Sequence, residues 1–165
     1  MSHVFLVGFM GSGKSSVGSL VAERLGMPFC DLDAAIERRA GKSVGDIFAS
    51  EGEAAFRQLE HEELGSLVAG MDQVVACGGG VIVDDRNRAL LKSLGRVVYL
   101  HVTADEAIAR IGAAEGRPLL AGDPLAASRV LLGARESLYL AVADVTIDTT
   151  GRSLSDVADA VVAAL

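Results

Sequence analysis

Apolar residues follow two alternating rhythms along the chain. Short continuous runs occupy 3–7, 28–32, 73–77, 96–102 and 144–148. Elsewhere apolar positions recur every three or four residues: Val17, Leu20, Val21 and Leu25; Phe56, Leu59, Leu64, Leu67 and Val68; Leu90, Leu91 and Leu94; Ala104, Ala107, Ile108 and Ile111; Leu154, Val157, Ala158, Val161 and Leu165. The runs predict strands and the three-to-four spacing predicts helices. Unbroken runs mean strands covered on both faces, as in a parallel sheet between helical layers. Cap spacing marks helix starts at Ser43 with Asp46, Ser50 with Glu53, Thr103 with Glu106 and Ser153 with Asp156. With no internal repeat and no low-complexity linker, 1–165 reads as one α/β domain whose ligands sit beyond the carboxyl ends of the strands.

Those strand ends carry the chemistry. After the first run comes Gly8-Phe9-Met10-Gly11-Ser12-Gly13-Lys14-Ser15, a G-x-x-x-x-G-K-S/T phosphate loop that opens a helix. Its glycines let backbone N–H groups wrap a phosphate, and the helix N-terminus adds positive charge. Gly11, Ser12, Gly13, Lys14, Ser15 and Ser16 are thus expected to bind ATP, with Lys14 on the phosphates and Ser15 a ligand of Mg²⁺. After the second run come Asp31 and Asp33, two residues apart and so on one side of an extended chain. Taken singly, Asp33 reads equally as a helix N-cap and Asp31 as a solvated strand end. The third run ends in Cys77 rather than an aspartate, which leaves Asp31 as the best-placed carboxylate for Mg²⁺. Gly78-Gly79-Gly80 follow, where a ligand would approach the backbone closely.

Composition narrows the partners. A net charge of −7 with 4% aromatic residues and no Trp argues against nucleic acid and anionic membranes. No apolar run is long enough for a membrane span and no signal-like segment precedes Val4, so a cytoplasmic, monomeric protein is expected. Cys30 and Cys77 read as reduced thiols, and His3, His61 and His101 lack the setting of metal ligands. An acidic chain that binds ATP must gather positive charge locally. Arg57, Arg117 and Arg135 are the arginines available, Arg117 within the Gly- and Pro-containing stretch 112–122, which reads as a lid.

The phosphate loop, Asp31-Leu32-Asp33, Phe56-Arg57 with Glu60, Gly78-Gly79-Gly80, Arg117-Pro118-Leu119-Leu120 and Arg135 with Leu138-Tyr139 together resemble the shikimate kinase family. They run in order over nearly the whole chain. The resemblance implies a nucleoside-monophosphate-kinase-like three-layer sandwich with five parallel strands in the order 2-3-1-4-5. It divides the chain into a core over 1–32, 72–111 and 123–165, a shikimate-binding helical region over about 33–62 and the lid. It implies transfer of the ATP γ-phosphoryl group to the 3-hydroxyl of shikimate, in aromatic amino acid biosynthesis. On this chain Lys14, Asp33 and Arg117 would be catalytic, and Asp31 would hold Mg²⁺ with Ser15. Asp33, Arg57, Gly78, Gly79, Gly80 and Arg135 would bind shikimate, with Arg57 and Arg135 on its carboxylate. Arg110 and Arg152 resemble the arginines at the family's adenine side. Ser16 and Cys77 depart from the family's common residues at those positions.

Other classes fit less well. A gluconate kinase of the same fold is the nearest alternative. Adenylate kinases usually read G-K-G-T where this chain reads Gly13-Lys14-Ser15-Ser16, and no N-K-x-D guanine-reading motif supports a GTP switch. A catalytically inert nucleotide sensor would have no use for Lys14, Asp33 and Arg117 together.

Overall fold

Strand β1 (His3–Val7) is buried at every position because it runs through the middle of the sheet. The computed structural model describes residues 2–112 and 118–165. Beside β1 lie β3 (Val74–Ala76) and β4 (Gly95–His101), with β2 (Phe29–Asp31) and β5 (Val145–Asp148) at the two edges. All pairs are parallel, giving the order 2-3-1-4-5. In register, Phe5 faces Val75 on one side and Val97 on the other. The five expected strands are all present, each within two residues of its predicted bounds.

Strand alternation splits the apolar run of β1 between two cores. Val4 and Leu6 join Val17, Val21, Val157 and Val161 beneath α1 (Lys14–Leu25) and α8 (Leu154–Ala164). Phe5 and Val7 enter the larger core on the opposite face, under α2 (Leu32–Ala40), α3 (Val44–Glu51), α4 (Glu53–Ser66), α5 (Asp85–Leu94), α6 (Ala104–Ile111) and α7 (Pro124–Val142). Each of these buried side chains contributes about 1.5–3 kcal/mol of hydrophobic stabilisation. The outcome is the three-layer sandwich expected from the pattern. Arg24 ties α1 to α8 by donating to Ser155 Oγ at 2.8 Å and pairing with Asp159 at 3.2 Å.

Three of the four predicted caps form: Ser43, Thr103 and Ser153 each accept from the backbone N–H three residues on. Ser50 does not. It sits inside α3, where its hydroxyl donates to the Asp46 carbonyl, and α4 starts from Gly52 without a side-chain cap. The reason is that α3 continues to Glu51, so Ser50 is already helical. Among the described residues no helix is long and apolar enough to cross a membrane. Of the lid expected over 112–122, residues 113–117 lie outside the described residues.

Candidate active site

The phosphate loop joins β1 to α1 by a sharp reversal. Gly13 takes φ 88°, a left-handed conformation costly for a residue with a Cβ, and α1 begins at Lys14. The α1 N-terminal amides therefore point at the loop's interior. Lys14 curls back so that Nζ donates to the Phe9 carbonyl at 3.0 Å. Ser15 Oγ, in the first turn of α1, donates to Asp31 Oδ2 at the end of β2.

Asp31 is the N-cap of α2, its Oδ1 accepting from Ala34 N at 3.1 Å. The alternative of Asp33 as the N-cap is thereby excluded, and one expectation is corrected: the strand ends at Asp31, so the pair does not share one side of an extended chain. Asp33 instead belongs to the first turn of α2. Helical geometry swings it inward, where Oδ1 is buried without a hydrogen-bond partner among the described residues. Burial raises the Asp33 pKa, the Asp31 charge adds to the rise, and Lys14 and Arg57 oppose it.

Two adjoining hollows meet at Asp33. One is lined by Gly11, Gly13, Lys14, Ser15, Ser16, Asp31 and Cys77; the other by Val44, Phe48, Phe56, Arg57, Glu60, Gly80, Leu119 and Arg135. Met10, Asp33, Gly78 and Gly79 line both and form the wall between them. A third hollow lies behind the loop, with Ser12, Arg110, Thr149 and Arg152 on its walls. Arg110 bridges to the loop by donating to the Gly11 carbonyl at 3.2 Å. Arg152 donates to the carbonyls of Asp148 and Asp156.

The second hollow sets two arginines and two carboxylates against apolar side chains. Arg57 on α4 pairs with Glu60 at 3.0 Å and Glu53 at 3.3 Å. Glu60 is 0% exposed. Burial lifts its carboxyl to about 7, against the opposing pull of the Arg57 charge. Arg135 on α7 is buried to 5% exposure beside Gly79, and a Cβ on Gly79 would lie 3.7 Å from its Nη1. Close packing explains the glycines here. A Cβ on Gly78 would sit 2.7 Å from Asp33 Oδ1 and 3.0 Å from Glu60 Oε1, and one on Gly80 would overlap the Arg57 guanidinium. Side chains at 78 and 80 would displace the charged groups.

Of the residues singled out in the sequence, Lys14, Ser15, Asp31, Asp33, Arg57, Gly78–Gly80 and Arg135 thus converge on one cleft at the strand ends. Arg110 and Arg152 line the separate hollow, and Arg117 lies outside the described residues. The site also contains groups that were not assigned to it. Glu60 is one: its spacing from Phe56 and Leu64 puts it on the buried face of α4, a signal that a carboxylate must have a partner there. The apolar wall of Met10, Val44, Phe48, Phe56 and Leu119 is another; Met10, Phe56 and Leu119 lie within the quoted motifs, whereas Val44 and Phe48 have no local motif. Both cysteines are free thiols, Cys77 buried at the floor of the phosphate hollow.

The residues fit Mg²⁺. A hydroxyl and a carboxylate, both hard oxygen donors, stand together beside the phosphate loop, and Mg²⁺ takes few protein ligands when phosphates and water supply the rest.

Comparison with known proteins agrees with this geometry. The family model described as shikimate kinase matches residues 10–165. A shikimate kinase of Streptomyces avermitilis is 48% identical over 99% of this chain and 95% of its own length. One from Symbiobacterium thermophilum is 46% identical over 94% of this chain and 91% of its own. Among solved structures, shikimate kinase from Acinetobacter baumannii in complex with shikimate superposes with a TM-score of 0.94 at 40% identity, covering 98% of this chain and 90% of that one. A gluconokinase from Sinorhizobium meliloti shares the fold alone, with a TM-score of 0.61 at 20% identity. With its phosphate loop, its paired hollows and nearly full-length relatives, the chain belongs to the shikimate kinase family of ATP-dependent phosphotransferases.

Proposed function

We propose that this chain transfers the γ-phosphoryl group of ATP to the 3-hydroxyl of shikimate, with the phosphate hollow taking the donor and the Arg57–Arg135 hollow the acceptor. The observation that carries this reading is the common wall: Asp33 faces both hollows, so a hydroxyl held there lies between acceptor and donor. The A. baumannii relative is bound to shikimate, which supports the same acceptor here.

Phosphoryl transfer passes through a loose transition state, so positioning and charge stabilisation supply most of the catalysis. Arg57 and Arg135 grip the shikimate carboxylate bidentately, as the planar guanidinium allows. Met10, Phe48 and Leu119 flank its ring, and Asp33 accepts a hydrogen bond from the reacting hydroxyl. The raised pKa of Asp33 suits it to take the proton as the phosphate bond forms. Lys14 leaves the Phe9 carbonyl for the phosphates. Arg117 opposes the charge that develops on the transferred group. Ser15 and Asp31 would hold Mg²⁺, which when bound would neutralise phosphate charge. Arg110 and Arg152 flank the adenine.

The test is coupled ADP release from ATP with shikimate, gluconate and nucleoside monophosphates offered in parallel. Turnover with shikimate alone is expected. Turnover with gluconate and none with shikimate would reject the reading.

A further inference from the structure

Tyr139 lies on α7 one helical turn after Arg135 and is wholly buried. Its ring stacks on Tyr99 of β4, with centroids 5.0 Å and planes 18° apart, which leaves the hydroxyl one direction in which to point. That direction is the triple glycine: the hydroxyl donates to the Gly79 carbonyl at 2.5 Å. Burial pushes the phenol up to about 12, so the donor stays protonated through the physiological range. The Arg135 charge lies near the same phenol and opposes the rise in its pKa.

The Gly79 carbonyl and the Gly80 N–H belong to one planar peptide unit and point in opposite directions. Fixing the carbonyl towards α7 therefore fixes where the Gly80 N–H is aimed. Glycines alone cannot hold that plane, because their backbone rotates more freely than any other.

We infer that Tyr139 is a positioning residue for the acceptor. Its hydroxyl locks the Gly79–Gly80 peptide to the helix that carries Arg135, so that the backbone and the guanidinium meeting the acceptor's carboxylate keep one fixed separation. The inference rests on the acceptor assignment above. Tyr139 itself does not line the hollow, so it acts through Gly79, Gly80 and Arg135.

Tyr139→Phe keeps the ring stack and removes the donor, leaving the buried carbonyl without a partner. Expected is a rise of about tenfold in KM for shikimate, with KM for ATP within about twofold and kcat within about threefold of the parent. Shikimate Kd measured calorimetrically without ATP should rise by the same factor. Tyr99→Phe is the control. It removes a hydroxyl that has no hydrogen-bond partner from the same stack, and it should leave KM for shikimate within about twofold. Thermal unfolding of both variants establishes that they are folded. An unchanged shikimate KM in Tyr139→Phe overturns the inference, as does an equal rise in Tyr99→Phe, which would assign the effect to the stack. Failure of the parent chain to phosphorylate shikimate would instead overturn the acceptor assignment.

Discussion

Asp33 and Glu60 are two carboxylates that burial holds above their ordinary range, in places with different consequences. Asp33 stands at the common wall without a protein partner for Oδ1, so it is available to a substrate hydroxyl. Asp33→Asn should lower kcat at least 10²-fold, about 2.7 kcal/mol of barrier. Arg57 touches only the acceptor hollow. Arg57→Ala should therefore raise KM for shikimate while leaving ATP affinity near normal, and steady-state kinetics with each substrate varied separates the two effects. Glu60 is pinned to Arg57, and its predicted effect is on stability. Its folded pKa of about 7 exceeds the unfolded value of 4.5, so between those values the folded state binds more protons. Stability then falls as pH rises from about 4.5 through 7. Urea midpoints of the parent should decline from pH 5 to pH 8, and Glu60→Gln should flatten that decline. An equal slope in both would remove Glu60 as its source.

The junction of β2 and α2 shows how one element boundary serves two tasks. Asp31 Oδ1 caps α2 while Oδ2 takes the Ser15 hydroxyl, so a single carboxylate ends the strand, starts the helix and faces the phosphate loop. The cap in turn sets the helical phase that carries Asp33 into the cleft. The two tasks are separable. Asparagine caps as well as aspartate, so Asp31→Asn should keep the thermal midpoint while raising the Mg²⁺ concentration needed for half-maximal rate. Asp31→Ala should lose the cap as well and cost about 1 kcal/mol of stability. The same boundary shows why local spacing misleads. Asp31-Leu32-Asp33 permits either aspartate to cap, and the choice depends on where pairing with β3 stops, at Asp31 opposite Ala76. Ser50 fails as a cap for a similar reason, since α3 runs past it.

Across the whole molecule, an acidic chain gathers Lys14, Arg57 and Arg135 into adjoining hollows, which is how a net charge of −7 coexists with an anion site. The acceptor hollow draws its walls from α2, α3, α4, α7 and the triple glycine, so a bound acceptor links elements that are far apart in sequence. Shikimate at a hundred times its Kd should stabilise the fold by about 2.7 kcal/mol. That corresponds to a rise of roughly 5–10 °C in thermal midpoint for a domain of this size. Gluconate at the same concentration should give no shift, and a scan with both ligands checks it.

Much of this site is legible in the chain itself, because its parts obey local rules. A phosphate loop needs glycines, a lysine and a hydroxyl at set spacing between strand and helix, and five apolar runs separated by helical periods leave a parallel sheet as the consistent solution. Ordered motifs even point to the family. The amino-acid sequence by itself therefore determined the sheet, the donor half of the site and the arginines available to the acceptor. Tertiary structure alone decided that Asp31 is the residue that caps α2, that Asp33 stands in the wall shared by the two hollows, and that Tyr139 reaches the Gly79 carbonyl from 60 residues away. Those outcomes depend on strand register, helix phase and packing between distant segments, and no spacing rule along the chain encodes them.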